Sequence, residues 1–180
     1  LLRQSTRTIG ADQAWDVSWT GEGVGVAIID TGIDGTHPDL CAAAEFCLGT
    51  PVKTVQNVKI LGRESRVDPV VVLEDQVVTD TSSGHGTHVA GIAAGLGVGS
   101  DVGDDYRGVA PGADLIGLST GEAIEAVNVL AAFDWVIDNA AAYNIRVVNN
   151  SWGPGPGTPH DPAHPVNRAI AAATDAGISV

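Results

Sequence analysis

Val24-Gly25-Val26-Ala27-Ile28-Ile29-Asp30-Thr31-Gly32 is the stretch on which the fold turns. Residues 24–29 form a short apolar run, with Gly21 and Gly23 before it and Thr31-Gly32 after it. The run is too short for a helix and suits a strand buried on both faces, as in a parallel sheet. Asp30 ends it, and a carboxylate at that point is costly to bury unless something pairs with it. As a purely structural residue, Asp30 would cap a turn.

Working outward, Val52–Leu61 and Val70–Leu73 read as further strands around a polar, exposed loop. His85–Leu96 reads as a helix of small residues and Asp114–Leu118 as another short strand. Glu122–Tyr143 is expected to be a long helix, because Ile124, Val127, Ala131 and Trp135 recur at helical spacing. Ile145–Asn149 is β-branched and follows Tyr143-Asn144, a helix stop. The Gly/Pro-rich stretch 153–159 is a loop, Pro165–Ala176 is the last helix, and Gly177 ends it before Ile178 opens a strand. This alternation predicts an α/β fold in three layers, a mostly parallel sheet with helices on both faces. Residues 1–180 read as one domain without repeats or linkers. In such sheets sites gather at the carboxyl ends of the strands, where Asp30 stands.

Composition narrows the function. Hydrophobic residues make up 44% of the 180 and charged residues 17%, enough for a core and too few charges for disorder. The net charge of −13 argues against nucleic acid and anionic membranes as partners, since both demand basic patches. No apolar run approaches the ~20 residues of a membrane helix, and the longest candidate, Val127–Val148, is broken by Asp134, Asp138 and Arg146. Cys41 and Cys47 lie in one stretch and suit either a local disulfide or two buried thiols.

The second chemical segment is Gly84-His85-Gly86-Thr87-His88-Val89-Ala90-Gly91. His85 and His88 could share a metal, but no third ligand is near in sequence. The other reading is one catalytic imidazole with its neighbour buried. Asp-Thr-Gly also marks aspartic proteases, which need a second such acid, and the chain has no second Asp-Thr-Gly. Gly21-x-Gly23-x-Gly25 is not a dinucleotide fingerprint, because its glycines precede the strand.

Together the two segments give a carboxylate at a strand end and an imidazole 55 residues later, the Asp…His order of one triad lineage. Here the sequence resembles the subtilase family, through Ile29-Asp30-Thr31-Gly32-Ile33, His37-Pro38-Asp39-Leu40, residues 85–91, Gly108-Val109-Ala110-Pro111 and Asn149-Asn150-Ser151-Trp152-Gly153. The resemblance implies a secreted serine endopeptidase acting on peptides or proteins, with Asp30 and His85 as two members of a Ser-His-Asp triad. It implies that His88 packs structurally, and that Ser119, Thr120, Gly121, Ser151, Trp152 and Gly153 bind substrate. Asp39 matches a calcium ligand position, and Asp101, Asp104 and Asp105 could join an oxygen site. His160, Asp161 and His164 read as surface residues.

None of the serines, among them Ser82, Ser83, Ser100, Ser119, Ser151 and Ser179, stands in the family's Gly-Thr-Ser context. The expectation is therefore the front part of a subtilisin-like catalytic domain, incomplete at its C-terminus and nearly inactive by itself. The nucleophile and the oxyanion Asn would come from the remainder of the domain, on the same or a separate chain. The alternative is an inactive peptide-binding module of the same fold, or an autolytic fragment.

Overall fold

The computed structural model describes residues 2–41, 52–62, 69–98, 105–153, 155, 157–159 and 161–180. Its strands are β1 (Gly25–Asp30), β2 (Thr54–Leu61), β3 (Val71–Leu73), β4 (Asp114–Ser119) and β5 (Ile145–Asn149). Its helices are α1 (Leu2–Thr8), α2 (Ala11–Asp16), α3 (His85–Ala94), α4 (Ala126–Asn139) and α5 (Pro165–Asp175). The sheet order is β3-β2-β4-β1-β5, with β4 and β5 parallel to β1, β2 parallel to β4, and only β3 antiparallel.

All of β1 is buried because it has a core on each face. Val26 and Ile28 pack with Ile33, Leu40, Val89, Ala90 and Leu115 on the α3 side. Ala27 and Ile29 pack with Ile116, Leu118, Val129, Phe133 and Val136 on the α4 and α5 side. Strand alternation thus sends successive apolar residues into two different cores, which is why β1 lacks polar alternation. The architecture is the expected three-layer α/β fold.

Several boundaries differ from expectation. The helix read as Glu122–Tyr143 is only Ala126–Asn139, since Glu125 is extended at φ −86° and residues 121–124 form turns. At its far end the chain leaves the helix so that Ile145 N can donate to Ala140 O, at 2.9 Å. Asn144 takes φ +45°, a left-handed value that asparagine tolerates, and its amide donates to Gly23 O. Tyr143 stacks on Trp135 outside the helix, with ring centroids 5.7 Å apart. The strand expected at Ile178 begins as a bridge, Ser179 pairing with Val147 of β5. Helices α1 and α2 were not expected at all. Cys41 is fully buried and disulfide-bonded, whereas Cys47 lies outside the described residues.

Lys53 enters β2 buried, at 4% exposure, and its ammonium donates to the carbonyls of Pro111 and Ala113. Burial pushes its pKa down from 10.5 to about 8, against a smaller opposing pull from Asp114. Between those two values the unfolded chain holds more protons than the folded one, so this lysine makes stability rise with pH across that window. In Lys53→Met that rise is expected to disappear, which denaturant melts of both proteins from pH 7.5 to 10.5 would read.

Candidate active site

Asp30, the last residue of β1, is fully buried. Its Oδ1 accepts from Thr31 N at 2.7 Å and lies 2.7 Å from Nδ1 of His85. A carboxylate only accepts hydrogen bonds, so Nδ1 carries the hydrogen and Nε2 presents its lone pair. The His85 side chain is half exposed, while that of Asp30 is closed off. Asp30 Oδ2 is buried with no partner among the described residues.

Glycine makes this pairing possible. A β-carbon on Gly86 would collide with Gly32 O and come within 3.1 Å of the Asp30 β-carbon, so the first turn of α3 reaches β1 only without one. Gly32 sits at φ +124°, where a β-carbon would lie 2.5 Å from the Thr79 carbonyl carbon. The helix start is then tied down. Gly86 N donates to Thr31 Oγ1 at 2.9 Å, and Asp34 N donates to Thr87 Oγ1 at 2.9 Å.

Asp80 is the positioning residue that sequence reasoning missed. Its oxygens accept from Gly84 N at 3.2 Å, from Thr87 N at 3.1 Å and from the Thr87 hydroxyl at 2.7 Å. Burial works to raise its pKa, but the bonds from Thr87, Gly84 and Thr31 together outweigh it and hold the carboxyl below the usual range. An anion among free helix N–H groups is favourable there. Asp80 stands four residues before the N-cap Gly84, outside the usual capping positions, so no local pattern marked it.

The two segments expected to hold substrate flank Asp30. Ser119 ends β4, pairs across the sheet with Asp30, and donates its hydroxyl to Thr31 O at 2.8 Å. Thr120 donates to Asp30 O through its backbone N at 2.9 Å and its hydroxyl at 3.3 Å. Both side chains are buried, so this edge offers backbone, and it ends at exposed Gly121. On the other side, beyond β5, Ser151 is exposed and accepts from Asn149, and Gly153 is exposed. Trp152 is half-buried against the α4 core, and its indole N–H donates to Ile29 O at 2.7 Å.

One other expectation is corrected. His88 is exposed rather than packed: the buried stripe of α3 is Gly86, Val89, Ala90 and Ala94, and His88 falls outside it. It lines a cleft of about 900 Å³ with Asp34, His37 and Asp80, a cleft that includes neither Asp30 nor His85. Asp105 is engaged by Arg107 at 2.6 Å, and that guanidinium holds its carboxyl below the usual range. Asp39 Oδ1 accepts from Val98 N. Among the described residues no three His, Cys, Asp or Glu side chains converge on a metal position, and Asp101 and Asp104 lie outside them. Asp161 and His164 cap local turns through Ala163 N and Val166 N, while His160 lies outside the described residues.

The chain is also similar to known proteins. A profile of the subtilase family matches residues 21–180. Minor extracellular protease Vpr of Bacillus subtilis is 33% identical over 159 residues, covering 83% of this chain and 17% of Vpr. A calcium-dependent protease of Trichormus variabilis is 28% identical over 173 residues, covering 93% of this chain and 22% of that protein. The chain therefore spans about a fifth of the length of these relatives. Among solved structures, the S41 psychrophilic protease superposes with a TM-score of 0.63 at 27% identity, over 94% of this chain and 49% of that one.

Gly86→Ala is expected to destabilise the chain by about 2 kcal/mol or more, since overpacking a site that cannot relax typically costs 1–3 kcal/mol. Denaturant unfolding measures the loss, and the imidazole resonances of His85 should shift as the helix start is pushed off Asp30.

Proposed function

This chain belongs to the subtilase family, and from that membership we propose that it contributes the Asp-His half of a Ser-His-Asp triad in a serine endopeptidase. The observation that carries the reading is the 2.7 Å Asp30–His85 bond, set between two parallel strand ends suited to an extended peptide. The nucleophilic serine is supplied from outside these 180 residues, because no serine here stands in the family's context.

In this reading a substrate peptide lies between Ser119-Thr120-Gly121 and Ser151-Trp152-Gly153 as an added strand, bound through its backbone. The serine oxygen attacks the scissile carbonyl carbon while His85 Nε2 takes the hydroxyl proton. The same nitrogen then returns that proton to the departing amine, leaving an acyl-enzyme that water hydrolyses by the same two transfers. Asp30 holds the tautomer and stabilises the imidazolium that forms between them. Trp152, fixed by Ile29 O, walls the primary specificity pocket with a rigid ring.

Secretion belongs to the same proposal. Relatives carry both extracellular and intracellular names, but the disulfide at Cys41 fits an oxidising compartment. No described helix is long and apolar enough to cross a membrane. Calcium binding is a structural part of the same proposal. Asp39 would supply one carboxylate toward a calcium ion, whose cage takes six to eight oxygens.

The intact protein is expected to cleave peptides and to lose activity to serine-directed acylating reagents. Asp30→Asn should lower kcat by roughly 10⁴-fold, by leaving His85 in the wrong tautomer. Peptide binding without any cleavage would favour the inactive binding module instead. Cleavage indifferent to both the reagent and the Asp30 substitution would dismiss the triad.

A further inference from the structure

Thr120 is held on both sides. Its N–H and hydroxyl donate to Asp30 O, and its own carbonyl accepts from Nδ2 of Asn128 at 3.2 Å. The ladder between β4 and β1 ends at the pair Ser119–Asp30, so the Thr120 carbonyl lies past the regular sheet. Asn128 comes from the first turn of α4, across the turn that contains Gly121 at φ +85°.

We propose that Asn128 is a positioning residue for peptide binding, holding the Thr120 carbonyl so that the Thr120-Gly121 backbone stays in register with the Asp30–His85 pair. The inference rests on the protease reading and deepens it. Three observations carry it. The amide orientation is determined, because an exchanged amide would set Oδ1 against the Thr120 oxygen. Asn128 is 6% exposed and its Oδ1 has no partner among the described residues, a state that costs stability. Val129, Ala132 and Phe133, also buried on α4, are apolar and carry no such cost. A residue chosen for packing alone would be apolar too.

The third observation is Gly62, just past β2. A β-carbon there would lie 3.2 Å from Oδ1 and 3.3 Å from Nδ2 of Asn128, so the amide also bears on the neighbouring strand end. Asn128 therefore ties the end of β4 to the start of α4, beside the end of β2, on the side where upstream substrate residues would lie.

The test uses the intact protein with two substrates, a peptide filling several positions upstream of the cut and a single-residue ester that cannot reach the Thr120 edge. In Asn128→Leu, and in the near-isosteric Asn128→Asp, kcat/KM for the long peptide is expected to fall about tenfold, the worth of one hydrogen bond to a positioned carbonyl. The loss should sit in KM, while the ester stays within a factor of about two of wild type, as expected if only this edge is disturbed. Equal losses on both substrates would mean a merely structural role and overturn the proposal, as would no loss on either. If the wild-type protein cleaves neither substrate, the protease reading fails and this inference falls with it.

Discussion

The backbone of Gly86 lies against the carbonyl oxygen of Gly32 and the β-carbon of Asp30, closer than any residue with a side chain could come. That approach sets the distance between α3 and the end of β1, and with it the Asp30–His85 bond. An imidazole on a flexible loop would lose orientation entropy each time it met the carboxylate. Here Thr31, Asp34 and Asp80 bond Gly86 and Thr87 in the first turn of the helix from several directions, so the geometry is prepared in advance.

The same strand end organises the ground on either side. The carbonyl of Ile29 is taken by the Trp152 indole and that of Asp30 by Thr120, so the segments after β5 and β4 are both tied to β1. Beneath them lie two separate apolar cores, one under α3 and one under α4 and α5, which keep β1 from moving toward either face. A polar site at the mouth of a parallel sheet is thus supported by packing that is almost wholly apolar. Lys53 is a departure from that pattern, a buried cation held by two loop carbonyls next to the Cys41 segment.

What could be read from the chain depended on whether the signal was local. The β1 run was legible because six buried residues in succession have few other uses, and the small-residue stripe of α3 was legible for a similar reason. The length of α4 was overestimated, since the apolar spacing from Ile124 continues into turns that tertiary bonds pull away from the helix. Helices α1 and α2 escaped because α1 is short and polar and α2 buries only Ala11. Part of α2's anchorage is remote: the Trp15 indole donates to Val109 O, and Arg107 stacks 4.3 Å over its ring. His88 was misjudged because residue type does not say which way a helix faces.

By itself the sequence determined the fold class, the order of the elements from β1 onward, the family and, through the family resemblance, the pairing of Asp30 with His85. The fold class and element order rest on periodicity, and the family and the Asp30–His85 pairing on motifs that resemble the subtilases, all of which survive without coordinates. Only the tertiary structure decided that Asp80 secures the start of α3, that Thr120 and Trp152 fasten the flanking segments to β1, and that Asn128 backs one of them. Those assignments join residues far apart along the chain through single hydrogen bonds to backbone carbonyls. A carbonyl is the same chemical group at every position, so no sequence pattern marks which one a distant side chain will reach.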